Sequence, residues 1–174
     1  MVPMRLCGFA TLALAGLILA GCSSTPSTPP PATYLLGEKV QLGGISYTVF
    51  ETQWLTHLGD APTPRVPDNR FFLIRMAAVN GGSQQVSVPN LTIEDDKGKT
   101  YDELSNGEGV PQWAGYLRNV RPADSVQGNI VFDAPPAHYK LKLWDEGHTR
   151  SAYVDIPLSF GNETPDIPTP GEKK

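Results

Sequence analysis

Hydrophobic residues recur at every second position through most of the middle of this chain, and that period predicts strands. Tyr47, Val49 and Glu51 alternate with Thr48, Phe50 and Thr52, inside a run from Ile45 to Leu58 rich in β-branched and aromatic residues. The segment 70–79 is apolar on both faces, which suits a central strand buried on both sides, and Asn80-Gly81-Gly82-Ser83 ends it. Val86 to Ile93 predicts one or two further strands, interrupted at Pro89, which has no amide hydrogen for a ladder. Glu94-Asp95-Asp96-Lys97-Gly98-Lys99 then predicts a turn toward Thr100-Tyr101, with Gly98 free to take a positive φ. Val126, Gly128, Ile130 and Phe132 alternate with polar partners. Tyr139, Leu141 and Leu143 do so beyond a turn at Ala134-Pro135-Pro136-Ala137. Asp145-Glu146-Gly147-His148 reads as a hairpin tip, and Ala152, Val154, Ile156 and Leu158 alternate to the end of the patterned region.

Roughly eight short strands with no internal repeat predict an all-β fold, a β-sandwich ahead of a barrel, over residues 34–160. The 17 glycines and 17 prolines, spread along the chain, agree with many turns. Phe72 and Ile130 are expected in the core. Residues 102–119 depart from the pattern and read as one long connection with room for a short helical turn. A connection beyond about 12–15 residues is usually functional or disordered. Leu104, Val110, Trp113, Tyr116 and Leu117 provide enough apolar surface for this one to pack.

The ends have a different character. Residues 1–21 read as a signal peptide, with Arg5 as its positive region and an apolar stretch from Leu6 to Ala20. That stretch is shorter than the about 20 residues a membrane-spanning helix needs. It closes on Leu19-Ala20-Gly21-Cys22, which resembles the bacterial lipobox. The resemblance implies export, cleavage before Cys22 and attachment of diacylglyceryl and acyl chains such as palmitate there. Several acyl chains make a durable membrane anchor, at about 0.8 kcal/mol per buried methylene. The domain would then face the periplasm or the exterior. Serines directly after the cysteine resemble the outer-membrane sorting pattern of Gram-negative bacteria. Residues 22–33 form a Ser/Thr/Pro-rich tether, and residues 161–174 a polar tail expected to be disordered.

The formal net charge is −4 and becomes −5 without Arg5. Basic residues are scattered singly apart from the terminal lysine pair, which excludes a nucleic-acid surface. The two cysteines are Cys7, inside the signal, and Cys22, consumed by lipid, so the mature domain relies on packing without disulfides. His57, His138 and His148 stand apart from one another at no metal-ligand spacing, and Met76 lies in a strand expected to be buried. Glu94, Asp95 and Asp96 hint at calcium but do not match an EF-hand. No nucleophile elbow or phosphate loop occurs. Neither a metal nor a cofactor is expected. The aromatic pair Trp113 and Tyr116 is the candidate binding element, because Trp and Tyr on sandwich loops are favoured contact residues. The competing expectation is that Trp113 plugs one end of the sandwich. Trp54 and Trp144 belong to strands.

The order of motifs is itself informative. Gly37 precedes Tyr47-Thr48-Val49, a long apolar strand ends in Val79-Asn80, and Leu91-Thr92-Ile93-Glu94-Asp95 leads to Gly98-Lys99-Thr100-Tyr101. Pro122, Gly128 and Val131-Phe132-Asp133-Ala134-Pro135 follow. Behind a lipobox, this order resembles the immunoprotective extracellular immunoglobulin-like superfamily, in its domain-of-unknown-function branch. The resemblance implies an immunoglobulin-like sandwich of about seven to nine strands and no particular activity. The expected function is a non-enzymatic interaction or structural module anchored through Cys22, with a protein or other envelope component as partner. A ligand- or solute-binding lipoprotein using the 102–119 loop is the alternative, and an envelope enzyme the third reading.

Overall fold

The computed structural model describes residues 30–60 and 62–160. The expectations for the signal peptide of residues 1–21, for Cys22, for most of the tether and for the tail of residues 161–174 lie outside the described residues. Among the described residues every regular element is a strand. One sheet joins β1 (Thr33–Tyr34), β11 (Ser151–Ile156), β10 (Tyr139–Trp144), β6 (Thr92–Asp95) and β7 (Thr100–Asp102) in that order. The other joins β2 (Lys39–Leu42), β3 (Ile45–Leu55), β4 (Phe71–Asn80) and β9 (Ser125–Asp133). A separate ladder pairs β5 (Val86–Val88) with β8 (Arg118–Val120). The chain is an all-β sandwich. Its two main sheets hold nine strands, and the small ladder brings the number to eleven.

The period-two pattern explains which side chains meet between the sheets. Val40, Ile45, Tyr47, Phe72, Ile74, Met76, Ile130 and Phe132 come from one sheet. Ile93, Tyr139, Leu141, Leu143, Val154 and Ile156 come from the other, and all are buried in one cluster. Phe72 and Ile130 lie in it as expected. Trp54 stacks on Phe72 at 4.1 Å between ring centroids, and Tyr139 tilts against both. The two buried phenols find acceptors: Tyr47 donates to the Trp144 carbonyl at 2.8 Å and Tyr139 to the Pro135 carbonyl at 2.6 Å. Burial holds both phenols well above their ordinary pKa, so they stay protonated donors.

Three local departures from the simple pattern matter. The β3–β4 register shifts between Val49 and Glu51, a bulge that leaves Phe50 exposed. An extra residue reverses the side-chain phase, so Tyr47 and Val49 point inward before the bulge and Trp54 packs on the core after it. The long strand stops at Leu55 and does not reach Leu58. At the other end, β11 stops at Ile156 and Leu158 is exposed, because the β10 ladder that pairs it ends at Tyr139.

β4 is covered on both faces only over its first half. Phe71 and Leu73 point away from the main core into a second cluster with Leu58, Val110 and Val131, flanked by Leu55 and Leu104. The second half of that outer face carries Arg75, Ala77 and Val79, and Val79 is exposed. The long connection supplies Leu104 and Val110 to this second cluster and so roofs half of the sheet.

Candidate functional site

The connection runs through residues 103–117, since Asp102 closes β7 and Arg118 opens β8. It contains turns and no helical turn, so the short helix allowed by the sequence does not form. Its backbone is tied down along its length, as buried polar groups require. Leu104 N donates to the Val131 carbonyl at 2.8 Å, and Val110 N to the Gly107 carbonyl at 3.0 Å. Asn106 Oδ1 accepts from Glu108 N, while the Asn106 carbonyl accepts from the Arg65 guanidinium. That guanidinium also lies over the Phe71 ring at 4.8 Å.

Residues 112–114 then dock on the free edge of β9. Asn129 N donates to the Gln112 carbonyl at 2.9 Å and Ala114 N to the Asn129 carbonyl at 3.0 Å, while Asn129 Nδ2 reaches the Pro111 carbonyl at 2.7 Å. Trp113 and Asn129 form a parallel bridge. This approach needs Gly128, because a Cβ there would run into the Gln112 carbonyl and the Ala114 backbone. Docking also fixes Gln112 at a φ of 46°, a left-handed conformation that a non-glycine side chain adopts only under constraint.

Beneath Gln112 lies a cavity of about 480 Å³ on the outer face of the four-stranded sheet. Glu51, Thr52 and Gln53 of β3, Leu73 and Arg75 of β4, and Asn129 of β9 line it, with Pro111 and Gln112 as its wall. Glu51 and Arg75 are register partners across the strands and form an ion pair at 3.6 Å, with Glu51 exposed and Arg75 half-buried. The two aromatic candidates lie beside this cavity in sequence and outside its lining. The Trp113 ring covers the backbone of Gly107, where any Cβ would fall within the ring, and the residue is 37% exposed. Trp113 belongs to neither hydrophobic cluster. Tyr116 is half-buried and Leu117 is exposed. Glu51, Arg75 and Asn129 were not legible as site residues, because only strand register brings them together.

The remaining candidates are committed to structural contacts. Asp95 accepts from the Lys97 and Lys99 amides and closes the β6–β7 turn, where Gly98 has a φ of 79°. Glu94 accepts from the Tyr153 hydroxyl, and Asp96 bonds to His138. His138 is held between two carboxylates, Nδ1 to Asp96 at 2.7 Å and Nε2 to Asp155 at 2.9 Å. The Asp96 bond, with Asp155 acting in the same direction, raises its pKa against a smaller opposing effect of burial. His57 bonds to the neighbouring Thr56 hydroxyl, and His148 is exposed at the hairpin tip with its ring near Trp144. Among the described residues, no three His, Cys, Asp or Glu side chains gather as a metal site, and no helix is long and apolar enough to cross a membrane.

No curated protein matches this chain. Solved structures do, at low identity, and they share its fold. The yjhA protein of Bacillus subtilis is 14% identical with a TM-score of 0.56, over 71% of this chain and 98% of that one. MPT63, a secreted protein of Mycobacterium tuberculosis, is 14% identical with a TM-score of 0.53, over 75% and 99%. The candidate lipoprotein ycdA of Bacillus subtilis is 14% identical with a TM-score of 0.51, over 69% of this chain and 38% of that one. Residues 34–152 match the family model described as "Domain of unknown function (DUF4352)", and the chain belongs to that family.

Proposed function

We propose that this chain is an exported lipoprotein, anchored through lipid on Cys22, whose sandwich serves as a non-enzymatic recognition module of the cell envelope. The immunoglobulin-like superfamily is its proposed wider kin, a reading supported by the order of the sequence motifs and by the two-layered all-β sandwich. Export and anchoring are supported by the Leu19-Ala20-Gly21-Cys22 motif and by likeness to a secreted protein and a candidate lipoprotein.

One observation carries the recognition reading. The 103–117 connection is bound down at nearly every turn, yet it leaves a polar cavity at Gln112 and, at the next residue in sequence, the partly exposed Trp113 ring over Gly107. Rigid scaffolds presenting loops are common binding surfaces. The titratable groups of the cavity, Glu51 and Arg75, are paired with each other, an arrangement suited to binding more than to proton transfer.

Two measurements test the proposal. Fatty-acid probe labelling in cells should mark the wild type and spare Cys22→Ala; equal labelling of both removes the anchor. Partner recovery from native envelope by cross-linking should fall for Trp113→Ala by more than its melting curve explains. Recovery that falls only as folding falls would place Trp113 in a purely structural role.

A further inference from the structure

We infer that the cavity beneath Gln112 binds a neutral saccharide, an inference that rests on the recognition reading above and names its ligand class. The first argument is charge. Glu51 and Arg75 face each other at 3.6 Å, so the cavity offers one carboxylate and one guanidinium and no net charge. An anion such as phosphate would meet the Glu51 carboxylate as well as Arg75, and phosphate sites are normally built from several cationic donors.

The second argument is hydrogen-bonding type. Gln53 and Gln112 contribute primary amides, each with two donor hydrogens and a carbonyl acceptor, and Asn129 keeps its side-chain carbonyl after giving its amide to Pro111. Donors and acceptors therefore both occur among the lining residues. A sugar hydroxyl is donor and acceptor at once, so a row of them satisfies such a wall in a way that a purely cationic or anionic ligand does not. Pro111, which is exposed, adds carbon surface on which the C–H face of a sugar ring can rest.

The third argument separates a saccharide from a peptide. Extended peptides are usually captured by adding a strand to a free sheet edge, and proline-rich ones by aromatic-lined grooves. The cavity floor is the face of β3, β4 and β9, whose ladders are satisfied, and the β9 edge is already occupied by residues 112–114. No aromatic side chain lines it. Finally, the strained Gln112 backbone is held by Asn129 before any ligand arrives, which fixes this part of the wall in advance. The volume falls within the range of about 300–1,000 Å³ typical of small-molecule sites.

The full-length protein in a sugar-free detergent should be titrated with maltotriose, cellotriose and triacetylchitotriose, followed by saturation-transfer NMR. Trialanine and inorganic phosphate serve as competing classes. At least one trisaccharide should bind saturably, with Kd on the order of 1 mM. Gln112→Gly removes the amide while suiting the positive φ. It should weaken binding by about three- to tenfold, the worth of one or two hydrogen bonds, at an unchanged or higher melting temperature. Glu51→Gln should weaken it by a similar factor. Absence of trisaccharide binding, unchanged binding by both variants, or preferential binding of trialanine or phosphate would each overturn the inference. If envelope partner capture still depends on Trp113 while saccharides fail, the ligand class falls and the recognition surface stands. Saccharide binding with Trp113-independent capture has the converse meaning.

Discussion

Arg118 and Glu103 meet in the interior as a two-pronged ion pair with both side chains fully buried. Nη1 lies 2.5 Å from Oε1 and Nη2 lies 2.9 Å from Oε2. The pair closes the two ends of the long connection on each other. Arg118 also donates to the Pro89 carbonyl and Glu103 accepts from Leu91 N, which ties in the chain before β6, and Arg118 donates to the Gly115 carbonyl within the connection itself. Removing one partner strands a buried charge, so Glu103→Ala or Arg118→Ala should each cost about 3–5 kcal/mol. The double variant should cost clearly less than their sum. Denaturant unfolding of the three variants checks this, and strict additivity would show that the two charges do not depend on each other.

Phe72 and Ile130 sit at the centre of the main core. Truncating either to Ala should destabilise the domain by about 2–5 kcal/mol, with Phe72 toward the upper part because it also loses its stack on Trp54. Equilibrium unfolding measures both. The absence of any cysteine after residue 22 makes reductant irrelevant to the result.

Gly128→Ala should release residues 112–114 from β9, because its new Cβ meets the backbone of Gln112 and Ala114. An unsealed strand edge would follow. The expected readouts are faster limited proteolysis within residues 103–117 and a lower melting temperature. Gly107→Ala should act differently, displacing the Trp113 ring and shifting its fluorescence. Unchanged proteolysis of Gly128→Ala would show that the docking does not hold the connection in place.

Two groups should shape the dependence of stability on pH in opposite directions. Burial pushes the Asp145 carboxyl up, but bonds from the Thr149 hydroxyl and amide and from Arg150 outweigh it and hold it at about 2, below its ordinary 3.8. Its stabilisation is present above about pH 3.8 and lost as pH falls toward 2. His138, raised by Asp96 and Asp155, stabilises fully below 6.5, and its contribution is lost as pH rises through its higher folded value. Melting temperatures measured from pH 2 to 9 should therefore show Asp145→Asn converging with the wild type at acid pH. His138→Gln should converge with it on the alkaline side. Parallel curves for either variant would dissociate that group from the pH response.

Strands were readable wherever one face is buried and the other is not, since alternation then appears directly in the residues. Tyr139, Leu141 and Leu143 illustrate this, being buried at every second place. What escaped is what depends on distant partners. The Phe50 bulge changes the facing of Trp54 without a proline or glycine to mark it. Leu104 and Val110 are buried only because Leu58, Phe71 and Val131 present a second apolar surface. Glu103 and Arg118 look like ordinary surface charges until the chain brings them together. The cavity shares this origin: Glu51, Arg75 and Asn129 lie on three strands and become neighbours through register alone.

The two-residue β1 ladder has a mechanical consequence. Thr33 and Tyr34 run parallel to β11, and Tyr153 N bonds to the Ala32 carbonyl at 2.8 Å. A pull on the N-terminal end therefore loads this short ladder in shear before it reaches β2. Gly37, whose amide bonds the Val49 carbonyl at 2.7 Å, is the next point to bear the load. Yielding there would free residues 33–38 and lengthen the leash by about 20 Å at the extended rise per residue, while both main layers of the sandwich keep their core. Under such a pull β1 would give way before the layers bearing the cavity.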